Sequence, residues 1–129
     1  MKIDRMDHIV LTVRDVTATC EFYQHVLGME VGIFAGGTRK YLQCGKNRIN
    51  LFEQGSEVEP KAAVTVPGAG DLCFIAETPL PEVIKHLESC GVPIELGPIS
   101  RPGAMGLMES VYLRDPDNNL IELSNYVEL

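Results

Sequence analysis

Apolar and polar residues alternate over Met6–Val13. A strand there places His8, Val10 and Thr12 on one face and Ile9, Leu11 and Val13 on the other. The period then changes: Val16, Cys20, Tyr23 and Leu27 recur at helical spacing, which predicts a helix over Val16–Leu27, capped by Asp15 and ended by Gly28. Three short β-rich runs follow, Met29–Phe34, Arg39–Cys44 and Arg48–Glu53, with Gly36-Gly37 and Gly45-Lys46-Asn47 as the turns between them. Residues 55–70 carry Pro60 and Pro67 among three glycines without a sustained period, and form a linker. A strand starts again at Asp71–Ala76. Pro81 opens a second helix with Val83, Ile84, Leu87 and Cys90 on its apolar side, and Gly91 ends it. Ile94–Leu96 is a short strand and Gly97–Gly106 a flexible loop. Ser110–Arg114 and Leu120–Ser124 are the arms of a hairpin turning at Asp115–Asn119.

Strand, helix and three strands thus occur twice. A unit of about 55 residues is too small to bury both faces of its sheet unaided, so two copies must share a core or a site. The expectation is one α+β domain of two tandem βαβββ modules, residues 5–54 and 71–126, forming a curved, barrel-like mixed sheet around one cavity. Overlaying the copies sets His8 on Asp71, and overlaying the closing strands sets Asn50 close to Glu122. On its own, Glu122 is an outward residue of an edge strand, sharing a face with Leu120 and Ser124. Four polar positions nevertheless point inward in the duplicated arrangement: His8, Asn50, Asp71 and Glu122.

Charge narrows the partners. A formal net charge of -7 and a pI near 4.9 argue against nucleic acid or an anionic membrane, which both need a basic surface. No apolar run approaches the roughly 20 residues of a membrane span, and Met1–Arg5 opens without a signal-type segment, so a cytoplasmic protein is expected. The four cysteines form no CxxC pair and are expected to be reduced core thiols. No GxSxG, phosphate-binding loop or dinucleotide fingerprint supports hydrolase, nucleotide or NAD chemistry. His25 and His86 fall beside polar neighbours on helices, as surface residues do. Arg101, in the 97–106 loop, is placed to act as a lid residue that reaches an anionic group of a ligand.

The opening DHIVLTVRDV with FYQHVLGMEV after it, the mid-chain DLCF and the closing YLRDPDNNLIEL, in this order, resemble the vicinal oxygen chelate superfamily over essentially the whole chain. That superfamily includes glyoxalase I, fosfomycin-resistance enzymes, extradiol dioxygenases and metal-free bleomycin-binding proteins. EPKAAVTVPGAGDLCF, GVPIELGPISRPGAMG and IELSNY are most similar to the glyoxalase domain-containing protein 5 group. The resemblance implies a divalent metal held by His8, Asp71 and Glu122, with Glu122 also serving as a displaceable base. Asp71 stands where most metal-binding relatives place His, and Asn50 where glyoxalase-type members place Glu, Gln or His. One His with oxygen donors suits Mn, Mg, Ni or Zn ahead of Fe(II), which favours two His and one carboxylate. Tyr112 and Ser110 match substrate-binding positions of fosfomycin-type relatives, and Asn50 and Arg101 complete the expected substrate contacts. The implied activity is a glyoxalase-type lyase or isomerase acting on a small oxygen-chelating substrate, in a homodimer. The alternatives are a metal-free small-molecule binder and an extradiol-type ring-cleaving enzyme.

Overall fold

The structure, a computed structural model, describes residues 1–127. It divides into two compact units, Met1–Gly68 and the chain from Ala69 onward. The first module runs β1 (His8–Val13), α1 (Val16–His25), β2 (Glu30–Phe34), a single 3-10 turn (Ala35–Gly37), β3 (Arg39–Cys44) and β4 (Asn47–Glu53). Its sheet order is β1-β4-β3-β2, with β1 parallel to β4 and the other pairs antiparallel. The second module runs β5 (Asp71–Ile75), α2 (Leu80–Ser89), β6 (Leu96–Pro102), β7 (Leu107–Arg114) and β8 (Leu120–Tyr126), ordered β5-β8-β7-β6 with the same pattern of directions. The duplicated βαβββ architecture is therefore present. It is built as two separate four-stranded mixed sheets, and no barrel closes.

In each module the helix lies on one face of the sheet because strand alternation makes that face apolar. Leu11, Val13, Leu42, Ile49 and Leu51 are buried with Tyr23 and Cys20 of α1. Val111, Leu113, Ile121 and Leu123 are buried with Leu80, Val83 and Leu87 of α2. Asp15 caps α1, its Oδ1 accepting the Ala18 N–H at 3.1 Å. The helix ends at His25, two residues before the expected Leu27. Gly28 then takes φ +69°, so that its N–H and that of Met29 donate to Gln24 O and Tyr23 O and close the last turn. On α2, Leu80 donates its N–H to Asn125 Oδ1 at 2.6 Å, which ties the start of the helix to the end of β8.

Two features depart from the sequence expectation in ways that move site residues. Residues 97–106 are not a flexible loop: β6 extends through Arg101 to Pro102, paired with β7, and only the turn beyond it is irregular. Prolines at 98 and 102 mask this strand in the sequence, yet β6 is the edge of its sheet, where a missing N–H costs no ladder bond. Second, β8 lies between β5 and β7, so Glu122 is on an inner strand, not an edge. The cysteines are all free thiols, but only Cys20 is buried, and Cys73 and Cys90 are exposed. Among the described residues, no helix is long and apolar enough to cross a membrane.

Candidate functional site

The face of each sheet turned away from its helix carries the polar residues singled out above. In the second module the ladders align them in rows. Asp71 lies abreast of Leu120, and Cys73 abreast of Glu122, which in turn faces Tyr112 and then Leu96. Asp71, Glu122, Tyr112 and Arg101, with Glu95, Leu96 and Leu120, line one cleft of about 360 Å³. Arg101 holds its place by donating from Nε to the Tyr112 hydroxyl at 3.0 Å. Its guanidinium carbon is 5.7 Å from the Tyr112 ring centroid. Glu95 is committed to Arg114, whose Nε and an Nη donate to the two carboxylate oxygens at 2.9 and 3.1 Å; that pairing holds the Glu95 carboxyl below its ordinary range. Asp71 and Glu122 are the cleft's other two carboxylates, Glu122 with side-chain bonds to Ser124 and Cys73.

Behind Glu122 lies a hydroxyl relay. Ser124 Oγ donates to Glu122 Oε2 at 3.3 Å, and Ser110 Oγ is 2.6 Å from Ser124 Oγ. With the Ser124 proton on Glu122, the consistent direction is Ser110 O–H to Ser124 Oγ, and the Cys73 Sγ lies 3.4 Å from the same oxygen. Burial raises the Cys73 thiol above its ordinary pKa, helped by the Glu122 and Asp71 carboxylates and opposed by the Ser124 bond, so it stands as a thiol and not as a nucleophilic thiolate. Ser110 is fully buried. It does not line the cleft, and it reaches the carboxylate only through Ser124.

In the first module His8 begins β1 beside Arg48, and Val10 pairs with Asn50, which faces Tyr41 and then Gly32. The His8 Nδ1 is 2.8 Å from Asp7 Oδ2. That bond is the largest cause holding the Asp7 carboxyl below its ordinary range. In metal-ligating histidines a carboxylate commonly holds one ring nitrogen in this way while the other faces the ion. Register also places the two modules in correspondence. Asp71 precedes by two the residue paired with Glu122, as His8 precedes by two the residue paired with Asn50, and Tyr112 faces Glu122 as Tyr41 faces Asn50.

A neutral imidazole nitrogen and two carboxylates are a suitable donor set for a hard or borderline divalent ion. Among the described residues no three His, Cys, Asp or Glu side chains are grouped closely enough to hold one. His8 and Asn50 stand on the first module, while Asp71, Glu122, Tyr112 and Arg101 stand on the second. Residue order holds no sign of the Cys73–Ser124–Ser110 relay or of the Glu95–Arg114 pair, since both are contacts across strands that depend on register.

Residues 5–123 match the model of the Glyoxalase/Bleomycin resistance protein/Dioxygenase superfamily, and the chain belongs to that superfamily. It is 49% identical to the virulence protein STM3117 of Salmonella typhimurium over 98% of this chain and 88% of that protein. The crystal structure of STM3117 superposes with a TM-score of 0.95, covering 98% of this chain and 100% of the other. The glyoxalase domain-containing protein RDO1 of Mycosarcoma maydis is 46% identical over 98% of this chain and 70% of its own. The metallothiol transferase FosB of Staphylococcus epidermidis is 28% identical over 95% of this chain and 82% of its own.

Proposed function

We propose that the chain is a glyoxalase-type enzyme that depends on a divalent metal and carries out lyase- or isomerase-like proton transfer or addition on a small substrate bearing two neighbouring oxygens. The observation that carries this reading is the cleft in which the Asp71 and Glu122 carboxylates stand beside the Arg101–Tyr112 pair. The Asp7-bound His8 supports it from the other module. So does the name of FosB, a metallothiol transferase, among the relatives.

In this reading His8, Asp71 and Glu122 would hold the ion, with Mn, Mg, Ni or Zn better suited than Fe(II). A bound ion supplies Lewis acidity toward a substrate oxygen. The chain's own residues do the rest. Glu122 accepts the substrate proton, and Ser124 orients the carboxylate by donating to Oε2. Arg101 and Tyr112 hold an oxygen-bearing group at the mouth of the cleft, and Asn50 offers an amide donor from its own face. Ser110 contributes through Ser124 and not by direct contact. Val10 and Ile75, on the open faces of β1 and β5, are 46% and 53% exposed, apolar surface that suits the proposed homodimer. A cytoplasmic setting fits four unpaired cysteines.

A second reading, a metal-free binding protein, is favoured by the Arg101–Tyr112 bond, which organises the cleft without an ion. Metal analysis separates the two. Protein purified without added ions is expected to carry one divalent ion per site, and His8→Ala to lose it while keeping its fold. No stoichiometric ion in the wild-type protein, even after incubation with Mn, Ni, Zn or Mg, would leave only the binder.

A further inference from the structure

We infer that Arg48, on the first module's open face, is an acid-group subsite, so that the ligand is an anionic small molecule. Arg48 lies over Tyr41, its guanidinium carbon 3.8 Å from the ring centroid, and its Nε donates to Gln43 Oε1 at 3.1 Å. Those two contacts fix the plane of the group and leave its Nη edge free. Neither Arg48 nor Arg39, which stands over Phe52 at 4.9 Å, forms an ion pair with any carboxylate among the described residues. In a chain of net charge -7 the two guanidiniums are preorganised on one sheet face, and the carboxylate within electrostatic reach of Arg48 is the exposed Asp7, which Arg48 helps to hold below its ordinary range.

The stack has been given room. Gly32 faces Tyr41 across β2 and β3, and a Cβ at Gly32 would lie 2.1 Å from Tyr41 Cζ, so only glycine lets the ring settle where Arg48 covers it. The second module repeats the result by a different route. Tyr112, which corresponds in register to Tyr41, holds Arg101, yet Arg101 comes from β6 whereas Arg48 comes from β4. An arginine is thus set against the equivalent tyrosine twice, from strands that the internal duplication does not equate. Beside Arg48 lie His8 in the neighbouring strand and Asn50 two residues along its own. A planar guanidinium with a free edge matches a carboxylate, phosphate or phosphonate bidentately. The row that runs from His8 through Arg48 and Gln43 ends at Glu30, on the outer strand.

This inference rests on the proposed function only in taking the His8 face as the ligand side, and it needs no metal. The test is NMR titration of the EDTA-treated full chain with acetate, inorganic phosphate and methylphosphonate, following the Arg48 side-chain Nε–Hε resonance. At least one anion should produce a saturable shift that chloride at equal ionic strength does not reproduce, and the anion that binds tightest identifies the acid group. Tyr41→Phe should keep the affinity and Tyr41→Leu should weaken it about threefold, a loss of stacking. Arg48→Gln, read on the Asn50 backbone amide, should weaken it at least tenfold and covers the case in which Tyr41→Leu does not fold. A response equal to that of chloride, or an Arg48→Gln affinity equal to wild type, would overturn the inference. The metal content of His8→Ala is decided separately, so either idea can fail without the other.

Discussion

Asn119 ties the start of β5 to the turn that launches β8: its Oδ1 accepts the Gly70 N–H at 2.7 Å. The Leu120 N–H donates back to Gly70 O at 3.0 Å, so the residue before Asp71 is clamped from both sides. Asn119 is itself held, its Nδ2 and N–H donating to the two oxygens of the buried Asp115 at 2.8 and 2.9 Å. The hairpin turn therefore sets the register that brings Asp71 and Glu122 to the same cleft. Asn119→Ala removes both side-chain bonds and leaves the Gly70 N–H short of a partner. A loss of about 2 to 3 kcal/mol is expected from urea unfolding. Asn119→Asp keeps the acceptor for Gly70 but sets a carboxylate against Asp115, and should unfold more readily at pH 7 than at pH 4.

Gly97 carries a second prediction. It sits at φ +112° where the β6–β7 register shifts between Leu96 and Ile99. A Cβ there would lie 2.4 Å from the Ser110 backbone oxygen, which cannot swing away as a side chain can. Gly97→Ala should cost about 3 kcal/mol, combining backbone strain with a forced shift of β7. Because Ser110 and Tyr112 both lie on β7, near-ultraviolet circular dichroism of the tyrosines should change with stability. An unaltered melting temperature would show that the bulge relaxes freely.

Much of this was legible from residue order. Alternation assigned His8, Asp71 and Glu122 to the open faces of their strands, and the repeat predicted the correspondence of His8 with Asp71 that the strand register shows. Residue order alone sets Arg101 in a loop, since two prolines hide an edge strand whose partner, β7, supplies the order that the local sequence lacks. Ser110 shares a face with Tyr112 as alternation requires, but alternation says nothing of depth. Neighbouring side chains on that face bury Ser110 completely and leave Tyr112 partly open. The Arg48–Tyr41 stack was invisible for a further reason: it depends on a diagonal contact across two strands and on a missing side chain at Gly32 on a third.

The Glu95–Arg114 pair predicts a pH dependence whose sign is fixed by the direction of the shift. Arg114 bonded to Glu95 lowers the folded-state pKa of that carboxyl below its unfolded value. The pair's contribution is therefore complete above the unfolded glutamate value of about 4.3 and is lost as pH falls through the lower folded value. Wild type should melt slightly above Glu95→Gln at pH 7, with the gap closing below about pH 4. Both groups are solvent-exposed, so the gap should also shrink in about 1 M salt, where screening is nearly complete. A gap that persists at low pH would assign the effect to packing of the Glu95 stem against Leu96 and not to charge.

Ser124 joins the fold to the proposed chemistry. It is fully buried, and its hydroxyl is the point at which Ser110, Cys73 and Glu122 meet. Ser124→Ala deletes the donor to Glu122 Oε2 and strands the Ser110 hydroxyl, which should cost about 1 to 2 kcal/mol of stability. The larger effect should fall on the carboxylate, freed to rotate away from the cleft. If Glu122 is a metal ligand, loss of such an orienting bond lowers metal affinity by about 10- to 100-fold. Ser110→Ala, one bond further back, should cost similar stability but shift metal affinity much less, because Ser124 can still donate to Glu122. Titration of the two variants with Mn, Ni or Zn by calorimetry separates them: equal affinities would mean that the relay serves packing alone.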